Sequence, residues 1–501
     1  MSTPLLDPIA TTAWDRQKAR HLLNRAGFGL DTARLDKLIA LSPDQAVDEF
    51  VSFDKYEEKI APPPFLVEIK GRKEFNTENP GASEDEIRKL YNEYQRAERE
   101  AIQQLKAWWL SRMFVSNRPL QEKLTLFWHG HFATSAQKVK SSWHTFDLNQ
   151  TFREHAAGNL KALTIKVGQS PSMLTYLDNR RSTKQKPNEN WARELMELFT
   201  MGIGTYTESD IKNSARAFTG WTADKYKFVY KENTHDFGEK TFLGRTGDFD
   251  GWNVIDIIFD QPATAEFMSR KLWSFFAYED PEPELVKGLA DTMRASNYEL
   301  RPVLTQMFLS NAFYGERAMA RQIKSPAQVL VQMCADLGVA NPPYPVMARM
   351  GRELGQDLFF PPNVKGWDGN RAWINANWLL IRYNLPVQLA NANPNQRPKA
   401  MMSDPAMTSE MAMKPEKNAA PAKWTPAMTL AGAQFTTAGG CVDFLVDRFL
   451  SVPISPDQRG VLLKALGAES EETPLTRDAV GAPELQAALR LLLSCAEYQV
   501  C

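Results

Sequence analysis

The stretch from Ser83 to Met113 narrows the fold more than any other. Ser83-Glu-Asp-Glu86 has the form of a capping box, in which a serine hydroxyl and a glutamate three residues on satisfy the first backbone donors of a helix. Behind it Ile87, Leu90, Tyr94, Ala97, Ala101, Leu105, Trp108 and Met113 recur at helical spacing, which predicts one helix of about eight turns. Its other face is densely charged and reads as solvated. Further helices are expected over Trp14 to Ala26, Pro119 to Trp128, Asp147 to Val167 and Asn188 to Gly202, and after the cap Thr207-Glu-Ser-Asp210. The pattern changes near 222–246, where Tyr226, Phe228 and Tyr230 alternate and Lys240 to Gly244 mixes Thr, Phe and Leu with glycine, so a small β-hairpin insert is expected there. The fold class is mostly α: a large multi-helix domain carrying that insert.

The chain has 501 residues, 43% hydrophobic and 24% charged, the balance of a globular protein with a large core. A main helical domain is expected over 1–390. Residues 391–423, rich in Pro, Met, Ala, Asn and Lys and without a period, read as a flexible linker or insertion. Residues 424–501 read as helices that close back onto the main domain. A formal net charge of −1 supplies no basic field for nucleic acid. No stretch reaches membrane-spanning length, and the first residues lack the basic and apolar segments of a signal peptide, so a cytoplasmic protein is expected. Cys334, Cys441, Cys495 and Cys501 have no Cys-x-x-Cys spacing, which excludes the common zinc and thioredoxin motifs.

The most polar helix is Asn188-Glu-Asn-Trp-Ala-Arg-Glu-Leu-Met-Glu-Leu-Phe-Thr-Met-Gly202. Glu194 and Glu197 share one face of it, beside Arg193, while Leu195, Leu198 and Phe199 form an apolar face. These three polar residues are the candidate catalytic groups, with a glutamate as base. His129 and His131 flank Gly130 and are the one close pair of histidines. In an unbroken helix residues two apart point about 200° from each other, so both reach one ion only if the helix breaks at the glycine. Glu122 lies seven residues earlier on the same face, as a ligand or as the acceptor that orients an imidazole. His235 and Asp236 offer a nitrogen and an oxygen from the insert. A mixed imidazole and carboxylate set suits Zn, Fe or Mn. Two competing explanations stand beside it: aromatic packing of the histidines among Phe127, Trp128 and Phe132, and an ion-pair lattice in which Arg153, Arg193 and Arg216 hold the glutamates.

The chain has no Gly-x-Ser-x-Gly elbow, no phosphate-binding Gly-rich loop with Lys-Ser or Lys-Thr, and no Gly-x-Gly-x-x-Gly opening a helix, so no nucleotide cofactor is expected. Trp221, Trp252, Trp367 and Trp373 sit near glycines and read either as core or as a stacking platform.

Taken in order, His21-Leu-Leu-Asn-Arg-Ala-Gly-Phe-Gly29, Phe127-Trp-His-Gly-His-Phe132, Asn188-Glu-Asn-Trp-Ala-Arg-Glu-Leu-Met-Glu-Leu198, Ala217-Phe-Thr-Gly-Trp221 and Pro361-Pro-Asn-Val-Lys-Gly-Trp367 resemble a bacterial family catalogued as domain of unknown function 1800. The resemblance covers nearly the whole chain. Leu492-Leu-Ser-Cys-Ala-Glu-Tyr-Gln-Val500 resembles the family's ending, with Cys-Ala in place of Ser-Pro. The resemblance implies no reaction. It implies a partner protein of phosphatase-like or sulfatase-like fold, and export for some members. The imidazole and carboxylate set makes the expected function a metal-dependent enzyme, a hydrolase before an oxidative enzyme, and the alternative is a non-catalytic scaffold or chaperone for a partner enzyme.

Overall fold

A computed structural model describes residues 4–29, 32–58, 61–339, 341–391 and 425–501. The chain is mostly helical, with two small two-stranded antiparallel sheets. The long helix runs Glu84–Val115 and begins on the expected capping box, with Ser83 N donating to Glu86 Oε2 at 2.7 Å. Its two halves differ. Ala101, Ile102, Leu105, Trp109, Leu110 and Met113 are buried, whereas Leu90, Tyr94 and Ala97 are only partly covered.

The second half of that helix is the beam on which the molecule is built. Leu105, Trp109 and Met113 enter a hydrophobic core with Leu330 and Met333 of helix Pro326–Asp336, Val442 and Leu445 of helix Ala438–Phe449, and Leu489 and Leu493 of helix Ala482–Ser494. A second core gathers the first helix, Arg16–Ala26, with the middle of the chain through Phe313. Helix Pro119–His131 lies between the two. Leu126 joins the first core, Leu124 and Trp128 the second, and every residue of the helix but Gly130 is buried. A helix covered on all sides must pair each of its polar side chains inside the protein.

The insert contains two hairpins where one was expected. Strand β1 (Trp221–Asp224) pairs with β2 (Lys227–Tyr230), with Trp221 opposite Tyr230, and β3 (Lys240–Phe242) pairs with β4 (Arg245–Gly247). Tyr226 sits in the turn of the first hairpin, and its hydroxyl accepts from Ile69 N at 3.1 Å. Between Pro62 and Gly81 the chain forms one short helix, Arg72–Glu78. Helix Ala376–Asn391 reaches the start of the expected linker, whose remaining residues lie outside the described ones. Among the described residues no helix is long and apolar enough to cross a membrane.

Candidate functional site

The polar helix changes its winding in the middle of its acidic face. It is an α-helix over Glu189–Glu194 and a π-helix over Leu195–Thr200, closed by Met201 N donating to Met196 O at 3.0 Å. π turns are uncommon and concentrate at functional sites. Gly202, at a φ of +81°, ends the helix in the left-handed conformation that glycine adopts most freely. Leu195, Met196 and Phe199 are buried, while Glu194 and Glu197 are half-buried. Burial pushes the Glu194 carboxyl above its ordinary value, and the charge of Glu197 adds to the effect. Glu197 Oε2 accepts from the Tyr206 hydroxyl at 3.0 Å. Arg193 turns away from both acids to Glu208, with Nη1 and Nη2 donating at 2.8 and 2.9 Å, and to Glu189 at 3.3 Å.

The arginine lattice exists, but with other acids. Glu122 is fully buried and accepts from Arg153 Nε at 2.7 Å, Arg153 Nη2 at 3.0 Å and Trp109 Nε1 at 3.0 Å. This bidentate pair ties helix Ser142–Glu154 to helix Pro119–His131, and the indole adds the long helix. Arg216 forks onto Asp236, Nε to Oδ2 at 2.7 Å and Nη2 to Oδ1 at 3.1 Å, and the hydrogen bond from Arg216 holds that carboxyl below its ordinary value.

Helix Pro119–His131 runs through Gly130 without a break, so the condition for both histidines to meet one ion is not met. His129 Nε2 accepts from Phe359 N at 3.0 Å, and His131 Nε2 lies 2.9 Å from Phe199 O, to which it donates. The two neutral rings therefore carry their protons on opposite nitrogens. Burial pushes both imidazoles down to about 3. His235 Nδ1 lies 2.8 Å from Thr219 O in the insert. The seven candidate residues other than Glu194 are thus each bonded within the protein. Among the described residues no group of three or more His, Cys, Asp or Glu is placed to hold a metal.

What does converge is the set of sequence motifs. A Cβ on Gly366 would collide with Gly130 O, so the Pro361–Trp367 segment rests backbone to backbone on the His-Gly-His turn. The Trp367 ring centroid lies 5.4 Å from that of His129. Arg25 of the first motif is buried and donates to Ala277 O at 2.6 Å and Ala318 O at 2.9 Å. Beside it Lys123 Nζ donates to Gly27 O at 2.9 Å and Gln328 Oε1 at 2.8 Å, and burial pushes its amine down to about 7. Trp221 and Trp373 are buried, and only Trp252 and Trp367 keep partial exposure. Sequence reasoning passed over Lys123, Tyr206 and Lys271. The last had one visible signal, its place between Phe267 and Phe275 at helical spacing.

A family model described as "Protein of unknown function (DUF1800)" matches residues 21–500. No curated protein and no solved structure matches the chain.

Proposed function

The chain belongs to the DUF1800 family, and from that premise we propose that it is a non-catalytic scaffold for a partner protein. One observation carries this reading. Residues able to serve as ligands or bases mostly hold the protein's own elements together: Glu122 three helices, His129 and His131 two distant backbone segments, Asp236 the insert. Groups engaged in this way by the protein's own donors and acceptors give rigidity and a defined surface rather than an open coordination position. The partner is of phosphatase-like or sulfatase-like fold, as the resemblance of the motifs implies. Purified chain mixed with such a protein encoded beside it should elute as one complex in size-exclusion chromatography, and elemental analysis should find no stoichiometric ion. A stoichiometric metal that supports hydrolysis by the isolated chain would overturn the reading.

A second reading has its own support in the acid pair on the π segment. Glu194 has a raised carboxyl and makes no side-chain hydrogen bond or ion pair with any described residue, and Glu197 is oriented by Tyr206. Here Glu194 and Glu197 would hold Zn, Fe or Mn and move the proton of an attacking water, a metal-dependent hydrolase with an oxidative variant when the ion is iron. Under this reading Glu194→Gln and Glu197→Gln lose ion affinity while Arg193→Lys keeps it, because Arg193 is bonded to Glu208 and Glu189 instead. Equal affinity in all three variants would end it.

A further inference from the structure

Segments from the two ends of the chain enclose a cleft. The first helix and helix Thr32–Ile39 form one wall, and helix Ala438–Phe449 with the turn at Ala431 and Gly432 forms the other, around a cavity of about 260 Å³. That is room for several waters or one small organic molecule. Arg16, Arg20 and Arg448 line it together with Asp36 and Asp447, and Leu35 and Phe444 supply an apolar side. The two carboxylates are already engaged. Asp447 Oδ2 accepts from Arg16 Nη2 and Asp447 Oδ1 from Arg20 Nη2, both at 3.1 Å, and Asp36 Oδ1 accepts from Arg16 Nη1 at 3.1 Å. Arg448, half-buried, bonds to no carboxylate among the described residues. Its Nε and Nη2 donate to Asp336 O at 3.2 and 3.0 Å, and its Nη1 has no partner among the described residues. Arg20 is buried, and its Nε likewise bonds to no described residue.

We propose that this cleft binds a small organic oxyanion, with its carboxylate or phosphate group on Arg448 and Arg16 and its apolar part against Leu35 and Phe444. Three guanidinium groups face two carboxylates there, which leaves one positive charge over. Each guanidinium carries five N–H groups in a planar fork that matches a carboxylate or phosphate, and Arg448 spends only two of them on the protein. A third acid, Asp336, lies behind Arg448 with its carboxyl hydrogen-bonded to Tyr498, so it adds a negative charge only when it ionises. Water in the cleft would satisfy the spare donors but leave the charge of a half-buried guanidinium uncompensated. An oxyanion pairs that charge through charge-assisted hydrogen bonds. Asp36, Asp447 and Gly432 are exposed and leave the mouth of the cleft open to solvent. The site is independent of the scaffold reading, since it needs neither a partner protein nor the acids of the π segment.

Isothermal titration at low salt and about pH 6, where burial keeps Asp336 largely protonated, tests the proposal with benzoate in one arm and phenyl phosphate in the other. At least one anion should bind with a stoichiometry near one. Benzoate alone identifies a carboxylated ligand, and phenyl phosphate alone a phosphorylated one. Arg448→Gln should weaken binding about tenfold or more. Ala431→Trp puts a large ring into the cavity from its exposed wall and should abolish binding while every arginine stays in place. Arg477→Gln, at an exposed arginine paired with Asp478, should leave binding unchanged. In the unsubstituted chain, modification of Arg16 and Arg448 by phenylglyoxal, read by mass spectrometry, should slow severalfold at saturating anion while that of Arg477 does not. Failure of both anions to bind overturns the proposal, as does unweakened binding by a folded Arg448→Gln or Ala431→Trp variant. If neither variant folds, unaltered modification rates at Arg16 and Arg448 overturn it.

Discussion

His129 and His131 are two residues apart and have opposite duties, one accepting from Phe359 N and the other donating to Phe199 O. Both are neutral because burial pushes them down to about 3. The unfolded chain takes up two protons near the ordinary imidazole value of about 6.5, and the folded chain does not. Their contribution to stability is thus complete above about 6.5 and is lost as pH falls toward 3. Each unit of depression is about 1.4 kcal/mol, so the urea midpoint should drop steeply across this window. His131→Asn, which keeps a donor for Phe199 O but does not titrate, should make the slope distinctly shallower, and an unchanged slope would refute the assignment. Glu122 supplies a second test. Glu122→Gln leaves Arg153 buried without its counter-charge and should cost about 3–5 kcal/mol in urea unfolding. Glu208→Gln removes an acid from the exposed Arg193 pair and should cost less than about 1 kcal/mol. Similar losses in the two variants would mean that Glu122 has no such role.

At the scale of elements, the seam between the His-Gly-His turn and the Pro361–Trp367 loop depends on two glycines with opposite requirements. Gly366 has a φ of +85° and no room for a Cβ, so Gly366→Ala should destabilise by about 1–3 kcal/mol or more. Gly130 lies inside a regular helix, and a Cβ there would meet Trp367 only at the ordinary distance of 3.9 Å. Gly130→Ala should therefore stabilise by about 0.5–1 kcal/mol. A thermal shift downward by several degrees in Gly130→Ala would show that the turn needs flexibility there. Periodicity and caps located the long helix, the first helix and the insert, because those signals are local. They left open whether the helix breaks at Gly130: glycine permits a break, but the tertiary packing that buries this helix on every side keeps it regular. They likewise placed acids and arginines on the right helices and paired them wrongly. Glu122 with Arg153 and Arg193 with Glu208 join segments whose approach is set by packing, which no window of sequence contains.

At the scale of the whole molecule, the end of the chain is threaded into the body rather than laid on it. Cys501 N donates to Gln322 O at 2.9 Å, Lys324 N to Gln499 O at 2.8 Å, and Arg382 Nη1 to Gln499 Oε1 at 2.7 Å. Near the start, Arg20 of the first helix reaches Leu450 O at 2.6 Å, so the C-terminal helices are held from both sides. The buried centre of this closure is Asp336, whose Oδ2 accepts from the Tyr498 hydroxyl at 2.9 Å. Burial pushes its carboxyl up to about 7, against the pull of Lys324 and of the Tyr498 hydrogen bond. The folded chain keeps a proton on Asp336 that the unfolded chain releases near its ordinary value of about 4, so stability from this group falls as pH rises through that window toward 7. Tyr498 limits the loss by donating to the ionised form. Tyr498→Phe preserves the packing and removes that donor, so its effect on stability should depend on pH. The cost should be below about 1 kcal/mol at pH 5.5, where Asp336 is largely neutral, and about 1–3 kcal/mol at pH 7.8, where a charged oxygen is left unpaired. Urea unfolding at the two pH values decides the matter. Equal costs would mean that Asp336 does not change its charge in the folded chain over this range, and that the closure rests on its other hydrogen bonds and on the apolar packing of the C-terminal helices.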